Sequence, residues 1–253
     1  MKHPIKSFDP ILEDYAFFEA HSTEAERDLV TYAGHLQGFA DTHPFIRMLD
    51  FGGGTGSFTS AFLRRAAWSP DHLFLTLVEP GEQARQKALK TLRPFTIHPI
   101  AHFPALPEKL DPGFDLILAN HVLYYVSDLL QTIDRLSRCL KPGGKCLIVM
   151  SGTENALVRC WAHGFGLNGK DIPFYAGNDL QSVLDELKLH YLRQRVDFTI
   201  AFPDAPENRL KILRFLFGEH LSALPQTPLL HFFDPYARDG EIRIDTCHYL
   251  YVM

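Results

Sequence analysis

Four of the five positions from Gly52 to Gly56 are glycine, and one residue, Phe51, separates them from the apolar run Phe45-Ile46-Arg47-Met48-Leu49-Asp50. So many glycines in one turn carry a backbone-entropy cost, which is offset where the main chain needs positive φ or must approach a partner closely. The next segment, Phe58 to Ala67, places Phe58, Phe62 and Ala66 on one helical face. A strand, a glycine turn and a helix in that order open an α/β fold.

The rhythm continues. His72 to Glu79 (HLFLTLVE) reads as a second strand and Glu82 to Leu92 as a second helix. Phe95 to Ile100 is a weaker third strand, and Phe114 to Asn120 (FDLILAN) an apolar fourth. Asp128 to Leu140 is amphipathic, Lys141-Pro142-Gly143-Gly144 stops it, and Lys145 to Met150 makes a fifth strand. Such alternation implies a parallel sheet with helices on both faces, and ligands in such sheets bind beyond the carboxyl ends of the strands. The glycine run, Glu79, Asn120 and Ser151 all fall at such ends.

Beyond Ser151, Asn178-Asp179 is suited to cap a helix through Leu187, and Glu207 to His220 reads as another helix. Strands are expected at His190 to Phe202 and at Ile242 to Val252, the latter with Ile242, Ile244, Thr246 and His248 on one face. Phe8 to Gly38 is helical and rich in aromatics, and the Pro- and aromatic-rich stretch from Leu221 to Gly240 is a candidate lid. The expected organisation is a single domain over 1–253: a helical cap (1–44), a core (45–151) and an acceptor-side half (152–253).

Composition narrows the function. With 253 residues, 46 % hydrophobic, net charge −5 and no Lys/Arg-rich run, the chain has material for a large core but no electrostatic footprint for nucleic acid. The segment MKHPIKSFDP has no apolar leader and no run is long enough to span a bilayer, so a cytoplasmic protein without a membrane partner is expected, with a monomer favoured. Cys139, Cys146, Cys160 and Cys247 form no CxxC pair, and none of the thirteen histidines falls in an HExxH spacing, so no metal is expected.

A dinucleotide fingerprint wants a third glycine where this chain has Ser57 or Thr59, and no Gly-Lys-Ser/Thr follows to make a phosphate loop. The run Leu49-Asp50-Phe51-Gly52-Gly53-Gly54-Thr55-Gly56, the acidic Glu79 closing the second strand, and Leu140-Lys141-Pro142-Gly143-Gly144 before the fifth instead resemble, in order and spacing, the class I S-adenosylmethionine-dependent methyltransferases. The resemblance implies a Rossmann-like, mostly parallel seven-stranded sheet with helices on both faces, an N-terminal helical cap and inserted helices near the C-terminus. It implies S-adenosylmethionine as cofactor, with Asp50, Gly52, Gly54 and Gly56 shaping the loop and a Cβ there colliding with the cofactor. Glu79 would hold the ribose hydroxyls with help from Gln83, Ala101 and His102 would flank adenine, and Asn120 would lie near the sulfonium.

Outside the core, His21-Ser22-Thr23-Glu24, Leu123-Tyr124-Tyr125-Val126 and Asp179-Leu180 to Leu187 resemble segments of the histamine N-methyltransferase family. That likeness implies a small cationic amine or imidazole acceptor bound by Glu24 and, in place of the family's asparagine, Asp245. Tyr15, Phe18, Tyr124, Tyr125 and Trp161 would wall the pocket, and His121 and Tyr125 are the candidate catalytic residues. A small-molecule O- or C-methyltransferase shares every core motif and stands as the alternative, beside a non-catalytic S-adenosylmethionine-binding protein.

Overall fold

The computed structural model describes residues 9–108 and 112–253. Phe8, the first aromatic of the N-terminal segment, lies outside them. Five parallel strands, β1 (Ile46–Phe51), β2 (Leu73–Val78), β3 (Ala101–Phe103), β4 (Phe114–Asn120) and β5 (Leu140–Met150), are followed by β6 (Leu192–Pro203), the two-residue β7 (Ala237–Arg238) and β8 (Glu241–Val252). The sheet runs β3-β2-β1-β4-β5-β8-β6, with β7 paired to β8 off that path. β8 is antiparallel to both β5 and β6. Chain order reverses between β1 and β4, and there the crevice at the strand ends opens.

The helices are α1 (Leu12–Ala20), α2 (Glu24–His35), α3 (Phe39–Thr42), α4 (Ser57–Ala66), α5 (Glu82–Leu92), α6 (Leu129–Cys139), α7 (Ala156–Gly166), α8 (Gly177–Glu186), α9 (Pro206–Phe217) and α10 (Gln226–His231). Two apolar clusters cover the sheet, one built on Met48, Leu116, Leu147, Tyr32 and Phe62, the other on Leu49, Ile117, Ile148, Trp161 and Phe217. Met48 and Leu49, Leu116 and Ile117, and Leu147 and Ile148 are neighbours in sequence that point to opposite faces, as the period of a doubly covered strand requires. Among the described residues no helix is long and apolar enough to cross a membrane, and the four cysteines are free and buried.

The structure departs from the expected elements in three places. The third strand is not 95–100 but Ala101–Phe103. Pro94 and Pro99 each remove a ladder donor, and residues 93–95 form a 3-10 turn. Lys141-Pro142-Gly143-Gly144 belongs to β5 itself: the register shifts between Phe114 and Leu116, and a Cβ on Gly144 would stand 2.9 Å from the Phe114 carbonyl. Lys141 meanwhile pairs with Asp115 at 2.7 Å. The 221–240 stretch buries Leu221, Leu224, Leu229 and Phe233, so it is packed into the fold as α10 and flanking turns.

The N-terminal segment is pinned to the far edge of the sheet. Thr23 N–H donates to the Thr199 carbonyl at 2.9 Å, and Ala201 N–H donates to the His21 carbonyl at 2.8 Å. These bonds fix where α2 begins, and with it Glu24.

Candidate active site

The glycine loop follows β1 and leads into α4. Gly52, Gly54 and Gly56 all have positive φ, between 53° and 76°. At Gly52 a Cβ would stand 2.1 Å from Val122 Cγ2, and at Gly53 2.3 Å from an Asp50 carboxylate oxygen. These two glycines therefore answer to the protein's own packing, which differs from the expected collision with a ligand. A Cβ on Gly54 would meet no protein atom within 4 Å, so this is the part of the loop that forms a cradle. Gly52→Ala is expected to cost about 3 kcal/mol or more, because a left-handed alanine and an overpacked Val122 add. A urea denaturation curve measures it.

Glu79 stands at the end of β2. Its Oε2 accepts from Gly54 N–H at 2.9 Å and its Oε1 from Gly81 N–H at 2.8 Å. Each carboxylate oxygen can accept a second bond, so this side chain fits the two hydroxyls of a ribose beside the Gly54 cradle. The residues thus suit S-adenosylmethionine. Arg85 is buried behind it and donates to the Glu79 and Pro80 carbonyls and to Glu82. Gln83 is exposed on the first turn of α5. Ala101 and His102 pair with Thr76 and Leu77, short of the strand end; it is the Phe103 carbonyl that accepts from Glu79 N–H.

Asp50 is buried beneath the loop and accepts from Thr59 Oγ1 at 2.7 Å. Burial pushes its carboxyl up to about 6, with the Thr59 bond opposing and the Glu79 charge assisting. A raised carboxyl favours the protonated form in the folded state, so its contribution is full below about pH 4 and lost as pH rises through about 6. Asp50→Asn removes that loss. The stability of the variant relative to the parent should therefore grow by about 2 kcal/mol between pH 4 and pH 7, as compared by urea denaturation at the two values.

Beyond the loop, three distant segments meet. Glu24 opens α2, Asp28 lies one turn on, His121 follows β4 and His248 comes from β8. His248 is fully buried, and its Nε2 stands 2.6 Å from Asp28 Oδ1. Its Nδ1 faces Glu24 Oε1 at 3.7 Å, beyond hydrogen-bond reach, and has no hydrogen-bond partner. His121 Nε2 lies 3.2 Å from Asp28 Oδ2 and 3.5 Å from Glu24 Oε2. Burial opposes a charge on His248, but Asp28 and Glu24 outweigh it and push the imidazole up to about 9. Burial likewise opposes the Asp28 charge, yet the two histidines hold its carboxyl below the ordinary value.

His121 has φ +52°. A non-glycine residue there carries roughly 1–2 kcal/mol of strain and persists only when its surroundings fix it. Tyr124 does part of that fixing: its hydroxyl accepts from Ser151 N–H at 2.6 Å and faces His121 Nδ1 at 3.2 Å. With Ser151 as donor, the hydroxyl proton is free for Nδ1, which sets the Nε2–H tautomer and turns that proton to Asp28. Asn120 accepts from the Tyr32 hydroxyl at 2.9 Å, which ties the end of β4 to α2.

The expected aromatic walls divide. Tyr15 and Tyr125 are partly exposed, and Glu24 is among the charges that add to burial in raising both phenols. Phe18, Tyr124 and Trp161 are buried: Phe18 stacks on Phe215, and Trp161 donates to the Leu216 carbonyl and packs against Tyr124 and Tyr125. Asp245 is not brought to Glu24. It is exposed, accepts from Thr199 Oγ1 at 2.6 Å, and by strand alternation lies on the opposite face of β8 from His248.

Asp28 and His248 were not among the expected site residues, though signals for both exist. Asp28 is four residues after Glu24 and so shares its helix face, and His248 is a polar residue on the apolar face of the last strand. The absence of an HExxH spacing also says nothing about ligands from separate elements, and Glu24, His121 and His248 could hold a metal ion.

Comparison with known proteins follows this geometry. A family model described as a methyltransferase domain matches residues 20–194. Fusarielin synthase FSL1 of Gibberella zeae is 33 % identical over 146 residues, 55 % of this chain but 5 % of that protein. Histamine N-methyltransferase A of Xenopus laevis is 29 % identical over 109 residues, 41 % of this chain and 37 % of that one. Among solved structures, YcgJ of Bacillus subtilis superposes with a TM-score of 0.56 at 15 % identity, covering 86 % of this chain and 96 % of that one. The plantazolicin methyltransferase BpumL, in complex with SAH, gives 0.55 at 12 % identity over 97 % and 90 %. The family match takes in Glu24, the glycine loop and Glu79 and ends within β6, so the chain belongs to the methyltransferase-domain family.

Proposed function

We propose that this protein transfers a methyl group to a nitrogen of a small amine or imidazole, the acceptor lying between the Gly54–Glu79 cradle and Glu24. The single observation that carries the reading is the charge of the Glu24–Asp28–His121–His248 cluster. The His248 imidazolium answers Asp28, and Glu24, whose side chain is only 14 % exposed, adds a second carboxylate to the cluster. A cation or a developing cation balances it.

S-adenosylmethionine supplies a methyl already activated on a sulfonium. The protein's work is therefore placement and electrostatics, and well-oriented neighbours reach effective molarities of about 10⁵–10⁸ M. As a neutral nitrogen takes the methyl, positive charge arises on the acceptor, and a fixed carboxylate beside it stabilises that change. Glu24 would accept the N–H of the acceptor, and the rings of Tyr15 and Tyr125 would add about 0.5–2 kcal/mol of cation–π attraction.

The likeness to fusarielin synthase and other polyketide synthases supports a second reading, a carbon or oxygen acceptor. Such an acceptor must lose a proton to a base. Both ring nitrogens of His121 are engaged, by Tyr124 and by Asp28, which supports the amine. The test is incubation with S-adenosylmethionine and parallel panels of amines and imidazoles, β-keto thioesters and phenols, with methylated product read by mass spectrometry. Product from the nitrogen panel alone supports the proposal, and product from thioesters or phenols alone overturns it.

A further inference from the structure

We infer that Glu24, His121 and His248 form a binding site for a divalent transition metal, with Asp28 orienting one of the ligands. Among the described residues these three bring one donor atom each within 4.8 Å of one another. The oxygens of Glu24 lie 3.5 Å from His121 Nε2 and 3.7 Å from His248 Nδ1. Donors around a tetrahedral zinc ion, bonded at about 2.0–2.2 Å, stand roughly 3.3–3.5 Å apart. The two Glu24 separations are already close to that, and the widest separation of the set, within 4.8 Å, must close by up to about 1.3 Å.

The independent sign is His248 Nδ1. This atom is buried, aimed at Glu24 and without a hydrogen-bond partner. Asp28 holds the opposite nitrogen, Nε2, at 2.6 Å. As an imidazolium His248 carries a proton on Nδ1, which a dication displaces to solvent; with Asp28 holding the Nε2 proton, the lone pair so freed is the one at Nδ1, the arrangement behind metal-ligating histidines. His121 would exchange its contact with Asp28 for the metal and pass to the Nδ1–H tautomer, which donates to the Tyr124 hydroxyl. Two imidazoles and one carboxylate suit a first-row dication such as Zn²⁺ or Co²⁺ rather than Mg²⁺ or Ca²⁺, which demand oxygen.

The metal and a cationic acceptor would both need the oxygens of Glu24, so the two states exclude each other. The site stands on its own geometry and not on the nature of the acceptor.

The experiment is titration of chelator-treated full-length protein with Co²⁺ and Zn²⁺, without acceptor or S-adenosylmethionine, read by calorimetry and by the visible absorption of Co²⁺. The expected result is one ion per chain, with a Co²⁺ spectrum of low coordination number. His248→Asn and Glu24→Gln should each weaken binding at least a hundredfold, Asp28→Asn roughly ten- to a hundredfold, and the exposed His72→Asn not at all. Thermal melts report whether each variant is folded, and His121→Asn is a second ligand deletion should His248→Asn fail to fold. Absence of stoichiometric binding overturns the inference, as does binding that folded ligand variants leave unchanged. Because no acceptor is present, failure here leaves the amine reading untouched, and failure of the amine panel leaves this result untouched.

Discussion

Glu79→Ala will lower the affinity for S-adenosylmethionine by about two to three orders of magnitude, measured by calorimetry with S-adenosylhomocysteine as a parallel ligand. The carboxylate can accept from two vicinal hydroxyls, and each hydrogen bond to a charged group contributes about 1.5–3 kcal/mol. The same side chain also accepts from Gly54 and Gly81, so alanine additionally loosens the cradle. Glu79→Gln keeps the shape but forces a donor against some of those donors, and should fall between alanine and the parent. Equal affinity in the alanine variant and the parent would show that the ribose is held elsewhere.

Glu24→Gln should cut kcat/KM for amine acceptors about a hundredfold or more while leaving cofactor affinity within a factor of about three. Glutamine preserves volume but removes the negative charge that would balance charge arising on the acceptor nitrogen. The paired control is His121→Asn. Asparagine tolerates the left-handed backbone that His121 occupies, so the variant should melt near the parent while turnover falls. If Glu24→Gln retained full turnover with every nitrogen acceptor, the carboxylate would be a helix-start residue only.

The first half of the chain is legible because its signals are local. Glu82–Leu92 and Phe114–Asn120 are written in contiguous periodic runs, and both have the expected limits in the structure. Glu79 is marked by its place at a strand end beside a glycine turn. The cluster of Glu24, Asp28, His121 and His248 is different in kind, since its four polar groups come from α2, the end of β4 and β8, and nothing in one segment announces the others. Asp245 was drawn in by family likeness although strand parity alone sets it opposite His248. What sequence could not supply is the pairing register of β6 with β8 and the anchoring of residues 21–23 to that edge, which decide where α2 starts.

Asp28 and its partner His248 are 220 positions apart. At synthesis rates of about 5–20 residues per second, roughly ten to forty-five seconds separate the two leaving the ribosome. The glycine loop and the parallel strands emerge within that interval, and so does His121, but until β8 follows Asp28 lacks the closer of its two imidazole partners and is costly to bury. The last strand therefore does more than complete a sheet: it delivers the counter-charge that lets the N-terminal helix dock. The strands from β1 to β5 are all made early, yet the cluster of Glu24, Asp28, His121 and His248 is complete only when the final strand arrives.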